Sequence, residues 1–236
     1  MVIQNTEGGK IMRCYRLLTV LLLLCLCLGG CGRHTEAPPL ASGGGTVESG
    51  APAAEPDREQ LAETAKVLTQ AVVRCTSGFP EGPLTPPSAP PEGEGPGRVP
   101  SFLCTVIYFQ SQGCPGSLYA GEFYRDSDLM YHLAEDAGPR VLEEVLGIPD
   151  WDMSTMGFEH DQAAGEYLTG LEFGLGGSWD YGEIGEVTVE DGRVTVECQA
   201  VPLFPEEVEY CPCRCVYTVE QTGDRFFLRL EKVEVG

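Results

Sequence analysis

The stretch Glu186-Val187-Thr188-Val189-Glu190-Asp191-Gly192-Arg193-Val194-Thr195-Val196-Glu197-Cys198 alternates apolar and polar side chains on both sides of Asp191-Gly192. A period of two sends alternate side chains to opposite faces of a strand. Asp-Gly supplies the positive φ angles of a tight hairpin turn. The stretch therefore predicts two antiparallel strands, about residues 183–189 and 193–201, in a sheet with one wet face. Residues 210–220 and 225–235 have the same character and are joined by Thr222-Gly223-Asp224, after a longer connection over 202–209. Four strands in succession read as a C-terminal antiparallel β-meander.

Upstream of a glycine-rich stretch the pattern becomes helical. Pro139 suits a first helical position, Val141, Leu142, Val145 and Leu146 form an apolar stripe, and Gly147 marks the stop. Ser127 or Asp128 is expected to open a shorter helix through Leu129, Met130, Leu133 and Ala134, ending at Gly138-Pro139. Residues 102–109, rich in β-branched and aromatic side chains, read as a buried strand. Residues 78–100 hold eight prolines and read as an exposed, partly extended loop. Asp57 is placed to cap a helix, with Gln60 as its reciprocal partner. Leu61, Ala65, Leu68, Val72 and Cys75 then make one helical stripe that Thr76-Ser77-Gly78 ends. Helices first and a meander last predict an α+β fold, with one or more helices packed on the C-terminal antiparallel sheet in a single domain, 57–236.

The N-terminus carries an address. Lys10, Arg13 and Arg16 precede a twelve-residue apolar run, 17–28, too short for the ~20 residues a spanning helix needs. It fits the core of a secretory signal, and Met12 makes a more usual start for it than Met1. The end of the run, Leu28-Gly29-Gly30-Cys31, resembles the lipobox of bacterial lipoproteins. That resemblance implies a signal peptide over 1–30, cleavage before Cys31, diacylglyceryl transfer to the Cys31 thiol and acylation of the new amine, palmitate among the expected chains. More than one chain is needed for stable anchoring. Residues 31–56 read as the lipidated cysteine and a flexible tether, spanning roughly 25–30 Å. A second resemblance rests on Gly165-Glu166-Tyr167-Leu168, Gly174-Leu175-Gly176-Gly177 and the segment from Glu186 to Val196. These are similar to uncharacterised lipoproteins of anaerobic gut bacteria. They imply a small α+β domain ending in an antiparallel sheet, and no activity.

Charge excludes some roles. The chain has a formal charge of −21, and the residues from Cys31 onward carry twelve basic against thirty-five acidic side chains. Such a surface cannot neutralise phosphates, so no nucleic-acid partner is expected. A membrane partner is expected only through the lipid anchor, since no basic face would hold anionic lipid.

Seven cysteines follow Cys31: Cys75, Cys104, Cys114, Cys198, Cys211, Cys213 and Cys215. Alternation places Cys211, Cys213 and Cys215 on one face of a strand, with Cys198 on the partner strand able to face Cys211 or Cys213. Neighbouring sulfurs of the trio stand about 6.6 Å apart, too far to bond each other. The cluster is read as structural, either disulfides or buried thiols. A tetrathiolate metal site and a redox pair are the competing readings. Zinc ligands are usually spaced by two to four residues, and no Cys-x-x-Cys opens a helix here.

Other constellations are weaker. Asp150, Asp152, Ser154 and Asp161 match positions one, three, five and twelve of a calcium loop resembling the EF-hand, but Thr155 replaces its turn glycine. An acidic solvated loop is the expected reading. His34 lies in the tether, His132 is expected to pair with Glu135 or Asp136 one helical turn away, and His160 adjoins Asp161 without a motif-placed nucleophile. Lys10, Lys66 and Lys232 are the only lysines, so the segment after Cys31 contains no Ser-x-x-Lys. Gly174, Gly176 and Gly177 lack the third glycine of a nucleotide loop. Trp151, Tyr167, Trp179 and Tyr181, with Phe158 and Phe173, suggest an aromatic shelf beside acidic residues for sugar or peptide. The sequence thus predicts a lipid-anchored binding or interaction protein on the extracytoplasmic face of the cell membrane, with no catalytic residue, cofactor or resident metal, and a protein or carbohydrate partner. The alternatives are a hydrolase with a site in 150–181 and a metal-binding or redox protein using the 211–215 strand.

Overall fold

The Asp57 carboxylate accepts a hydrogen bond from the Gln60 amide at 2.6 Å and starts helix α1, Arg58–Cys75, as the capping pattern predicts. The computed structural model describes residues 56–79, 82–112, 114, 116–170, 179–203 and 210–236, all within one compact unit. Cys31 with its lipobox, His34, the tether up to residue 55, Phe173, Gly174, Gly176, Gly177 and the side chain of Trp179 lie outside the described residues. No helix among the described residues is long and apolar enough to cross a membrane.

The predicted α1 stripe is buried, and Val67, Ala71 and Val73 join it. The buried band is therefore wider than a single stripe and touches two partners. One is helix α2, Val99–Ser111; the other is the large sheet. Helix α2 stands where the sequence predicts a buried strand over 102–109. A continuous apolar run does not distinguish a buried strand from a helix buried on most sides. Phe102, Leu103, Val106 and Ile107 are all fully buried, and Pro100 in the first turn was the available signal. Between the helices, the described residues of 78–98 hold no regular element beyond the Ser77–Thr85 bridge, whose two backbone bonds measure 3.0 and 2.8 Å. Gly78 is obligatory there: at φ +102° a Cβ would lie 2.3 Å from the Pro83 carbonyl oxygen.

Strand β1, Phe123–Arg125, and strand β2, Tyr131–Ala134, form a hairpin where a helix was expected over 127–134. The correction has a local cause. Asp126 Oδ1 accepts from the amides of both Asp128 and Met130 at 2.9 Å, which folds the Asp-Ser-Asp segment into a turn. Helix α3, Ala137–Leu146, follows and ends at Gly147 in the left-handed conformation, as expected. A short 3₁₀ turn, Met153–Met156, leads to β3, Glu159–Asp161, and β4, Glu166–Thr169. These complete a small antiparallel sheet in the order β1-β2-β4-β3.

The large sheet is the predicted meander, β5 (Trp179–Glu190), β6 (Arg193–Pro202), β7 (Cys211–Thr222) and β8 (Arg225–Val235), each strand paired with the next. Asp191 and Gly192 both have positive φ, 50° and 72°, as the two-residue turn requires. On β6, Val194, Val196, Cys198 and Ala200 are buried, and their register partners on β7 are Tyr217, Cys215, Cys213 and Cys211. This ladder is the dry face of the sheet, and α1 packs against its β5 and β6 side. Each fully buried large apolar side chain contributes about 1.5–3 kcal/mol. The Tyr217 hydroxyl meets Thr69 Oγ1 at 3.0 Å, so the polar tip of the largest ladder residue is satisfied inside the core.

Two ion-pair clusters fasten the edges. Arg74 holds Asp180 through two bonds of 2.5 and 2.8 Å while lying 5.4 Å from the Tyr181 ring centroid. Arg225 on β8 bonds Glu144 of α3 at 2.9 Å and Glu122 at 2.7 Å, and Glu122 also holds Arg140 at 2.6 Å. Tyr119 lies fully buried beneath Arg225, and burial together with the nearby Glu144 carboxylate raises its phenol well above the usual 10.

Candidate functional site

The small sheet carries a polar constellation on its outer face. Register places Tyr124 opposite His132, and His132 opposite Leu168; Glu166 lies two residues from Leu168 on the same face. The other face turns Phe123, Tyr131 and Leu133 into the core, where α2 packs against β1 and β2. His132 is thereby fixed at the centre of three strands, with its side chain only 13% exposed.

Both imidazole nitrogens are engaged. Nδ1 lies 3.0 Å from Glu166 Oε2, and Nε2 lies 3.0 Å from Asp126 Oδ2. The Tyr124 ring stacks on the imidazole at 4.4 Å and 13°, and its hydroxyl donates to Glu166 Oε2 at 3.3 Å. Burial opposes charge on His132, but the hydrogen bonds to Asp126 and Glu166 outweigh it and hold the imidazolium above its ordinary 6.5. The hydrogen bond from His132, with that from the Met130 amide, holds Asp126 below 3.8. Partial burial and the Glu166 charge raise the Tyr124 phenol. A histidine so placed is a clamped cation with no free nitrogen to take a proton. The expected pairing of His132 with Glu135 or Asp136 is corrected, because β2 is a strand and its partners come from a turn and from β4.

Asp126 does two jobs at once. Its Oδ1 closes the β1–β2 turn and its Oδ2 holds His132, so turn and imidazole are one unit. The turn carries Leu129 at φ +66°, a left-handed conformation unusual for leucine, with the side chain 57% exposed. Tyr124, on β1 of the same hairpin, is 41% exposed. Sequence reading missed Tyr124, Asp126 and Glu166. The alternation Tyr131-His132-Leu133-Ala134 and the turn chemistry of Asp126-Ser127-Asp128 were the signals that could have found them.

His160 sits on the edge strand β3, stacked on Tyr167 at 4.5 Å, with Nε2 lying 3.4 Å from Glu135 Oε1. Three residues of the expected aromatic shelf have described side chains on different elements. Tyr167 belongs to the small sheet, Tyr181 packs edge-on against Phe109 at 5.5 Å beside α1, and Trp151 is half-buried against the core. Two surface grooves lie elsewhere. One of about 350 Å³ is lined by Glu183, Gly185, Glu197, Cys198, Gln199 and Pro212; one of about 150 Å³ lies between the start of α1 and the Asp191-Gly192 turn.

Asp152 spends its carboxylate on the Ser154 amide at 2.9 Å, and Asp161 on the amides of Ala163 and Ala164 at 3.0 and 3.1 Å. The calcium-loop pattern is thus absorbed by two turns. Among the described residues no group of three or more His, Cys, Asp or Glu side chains is arranged to hold a metal ion. For the cysteines the reason is geometric. Cys211, Cys213 and Cys215 lie in line along β7, whereas zinc needs four sulfurs ~2.3 Å from one centre. The seven cysteines from Cys75 onward are free thiols in this structure, and Cys198 Sγ lies 3.2 Å from Cys213 Sγ.

Comparison with known proteins finds no family model, curated sequence or solved structure that matches this chain.

Proposed function

We propose that this chain is a lipid-anchored binding protein, held at the extracytoplasmic face of the cell membrane through Cys31 and engaging its partner with the β1–β2 hairpin. One observation carries the binding reading. The clamped Asp126–His132–Glu166 unit supports an exposed Tyr124 and a left-handed, exposed Leu129, so an apolar tip is presented on a polar, rigid base. Backbone strain of this kind persists where the surroundings enforce it, and it concentrates at binding and switch positions. The acidic residues Asp126 and Asp128 within that turn, in a chain of −21, favour a partner that brings positive charge with an apolar side chain. The partner we assign is a basic protein segment. The lipid anchor rests on Leu28-Gly29-Gly30-Cys31 and the short apolar run before it.

Two measurements test this reading. Intact mass analysis of natively produced protein should show a chain beginning at an acylated Cys31; a chain beginning upstream and without acyl mass would overturn the anchor. A library of basic peptides bearing one aromatic or aliphatic residue should contain sequences retained by the native protein and released about tenfold more readily by Tyr124→Ala or Leu129→Ser. Retention of neutral oligosaccharides in place of basic peptides would move the reading to a carbohydrate partner. Hydrolytic turnover lost on His160→Ala would replace it with the enzyme alternative.

A further inference from the structure

Four of the thiols lie along the dry face of the large sheet, and only one pair of them is matched in register. Cys198 stands directly opposite Cys213, whereas Cys211 faces Ala200 and Cys215 faces Val196. Directly opposed residues of an antiparallel pair have Cα atoms about 4.5–5.5 Å apart, inside the 4.4–6.8 Å window of a disulfide. The two side chains already point at each other, with sulfurs 3.2 Å apart against a bond length near 2.05 Å. Closing that gap needs side-chain rotation and no change of register. The surroundings also suit the product. Cys198 and Cys213 are 5% and 1% exposed among Val196, Ala200 and the other thiols, so replacing two weak S–H donors by an apolar bridge leaves no polar group unsatisfied.

We propose that Cys198 and Cys213 are a cross-strand disulfide site that ties β6 to β7 when the chain meets a small-molecule disulfide. One cysteine, as thiolate, attacks a sulfur of that disulfide and expels one small thiol, which takes up the proton released. The second cysteine attacks the resulting mixed disulfide, expels the second small thiol and gives it its proton. One S–S bond breaks and one forms; two protein sulfurs are oxidised and the small disulfide is reduced to two thiols. The hydrogen bond to Cys198 and burial both raise the Cys213 thiol, which slows attack in the closed sheet and favours bond formation while the sheet assembles. This proposal is independent of the anchor and of the hairpin's partner.

The test is to unfold the reduced full chain, remove the denaturant in a mixture of oxidised and reduced glutathione, block remaining thiols and map the peptides by mass spectrometry. The expected result is a Cys198–Cys213 link as the dominant species, with every other cysteine of the chain outside that link. Cys198→Ser should leave Cys213 blocked, and Cys114→Ser should leave the link unchanged. Recovery of folded protein with both Cys198 and Cys213 blocked would overturn the proposal, as would links scattered over other pairs.

Discussion

The two sheets of this protein are built on opposite terms. The large sheet has strands of 10 to 12 residues whose dry face is apolar and thiol-lined, and it is held by burial against α1. The small sheet has strands of 3 or 4 residues, too short to bury much, and its outer face is knitted by one imidazole between two carboxylates. The difference teaches that strand length decides what must hold a sheet. Long strands accumulate apolar area at about 25 cal/mol per Å². Short ones need directional contacts from outside their own sequence.

The contrast can be broken at the large sheet first. Tyr217→Ala removes a fully buried ring and its bond to Thr69, and should lower global stability by about 3–5 kcal/mol in denaturant unfolding. A loss below ~1 kcal/mol would show that the ladder is not the core. Forming the Cys198–Cys213 link, 15 positions apart, should raise stability by about 3 kcal/mol over the reduced form, read as a shift in the same midpoint.

At the small sheet the expected effects are smaller and local. His132→Gln leaves the nearly buried Glu166 carboxylate without its cation and should cost about 1–3 kcal/mol. Amide exchange should quicken in β1, β2 and β4 while β6 and β7 stay protected. The pH dependence has a definite sign. His132 is raised in the folded state, so its contribution is whole below the unfolded value of 6.5 and fades as pH climbs through the folded value. Asp126 is lowered, so its contribution is whole above 3.8 and fades as pH falls through its folded value. NMR titration should show both limbs in the native chain and lose the alkaline one in His132→Gln. The smallest change sharpens the comparison. Leu129→Gly relieves a left-handed leucine and should stabilise the hairpin by roughly 0.5–1 kcal/mol while weakening partner binding. Destabilisation instead would mean that Leu129 packs within the fold.

Legibility follows the same division. The meander and its Asp191-Gly192 turn could be read because alternation repeats over many residues and both turn positions need φ angles that Asp and Gly tolerate. Helix α1 could be read from its cap and stripe. Residues 102–109 could not, because burial on most sides erases periodicity. Residues 127–134 misled because Leu129, Met130, Leu133 and Ala134 happen to fall at helical spacing, while the Asp126 turn that overrides it depends on one carboxylate. The partners of His132 lie 6 and 34 residues away, so no local window contains the site.

By itself the sequence determined the strand meander, the capped first helix, the acidic surface and the line of thiols on one strand face. Each of these follows from side chains near one another in the chain. Only the tertiary structure decided that Cys198 meets Cys213 and that His132 is clamped between Asp126 and Glu166. Those contacts join separate segments, and their register is fixed by how whole strands bury their dry faces against the helices.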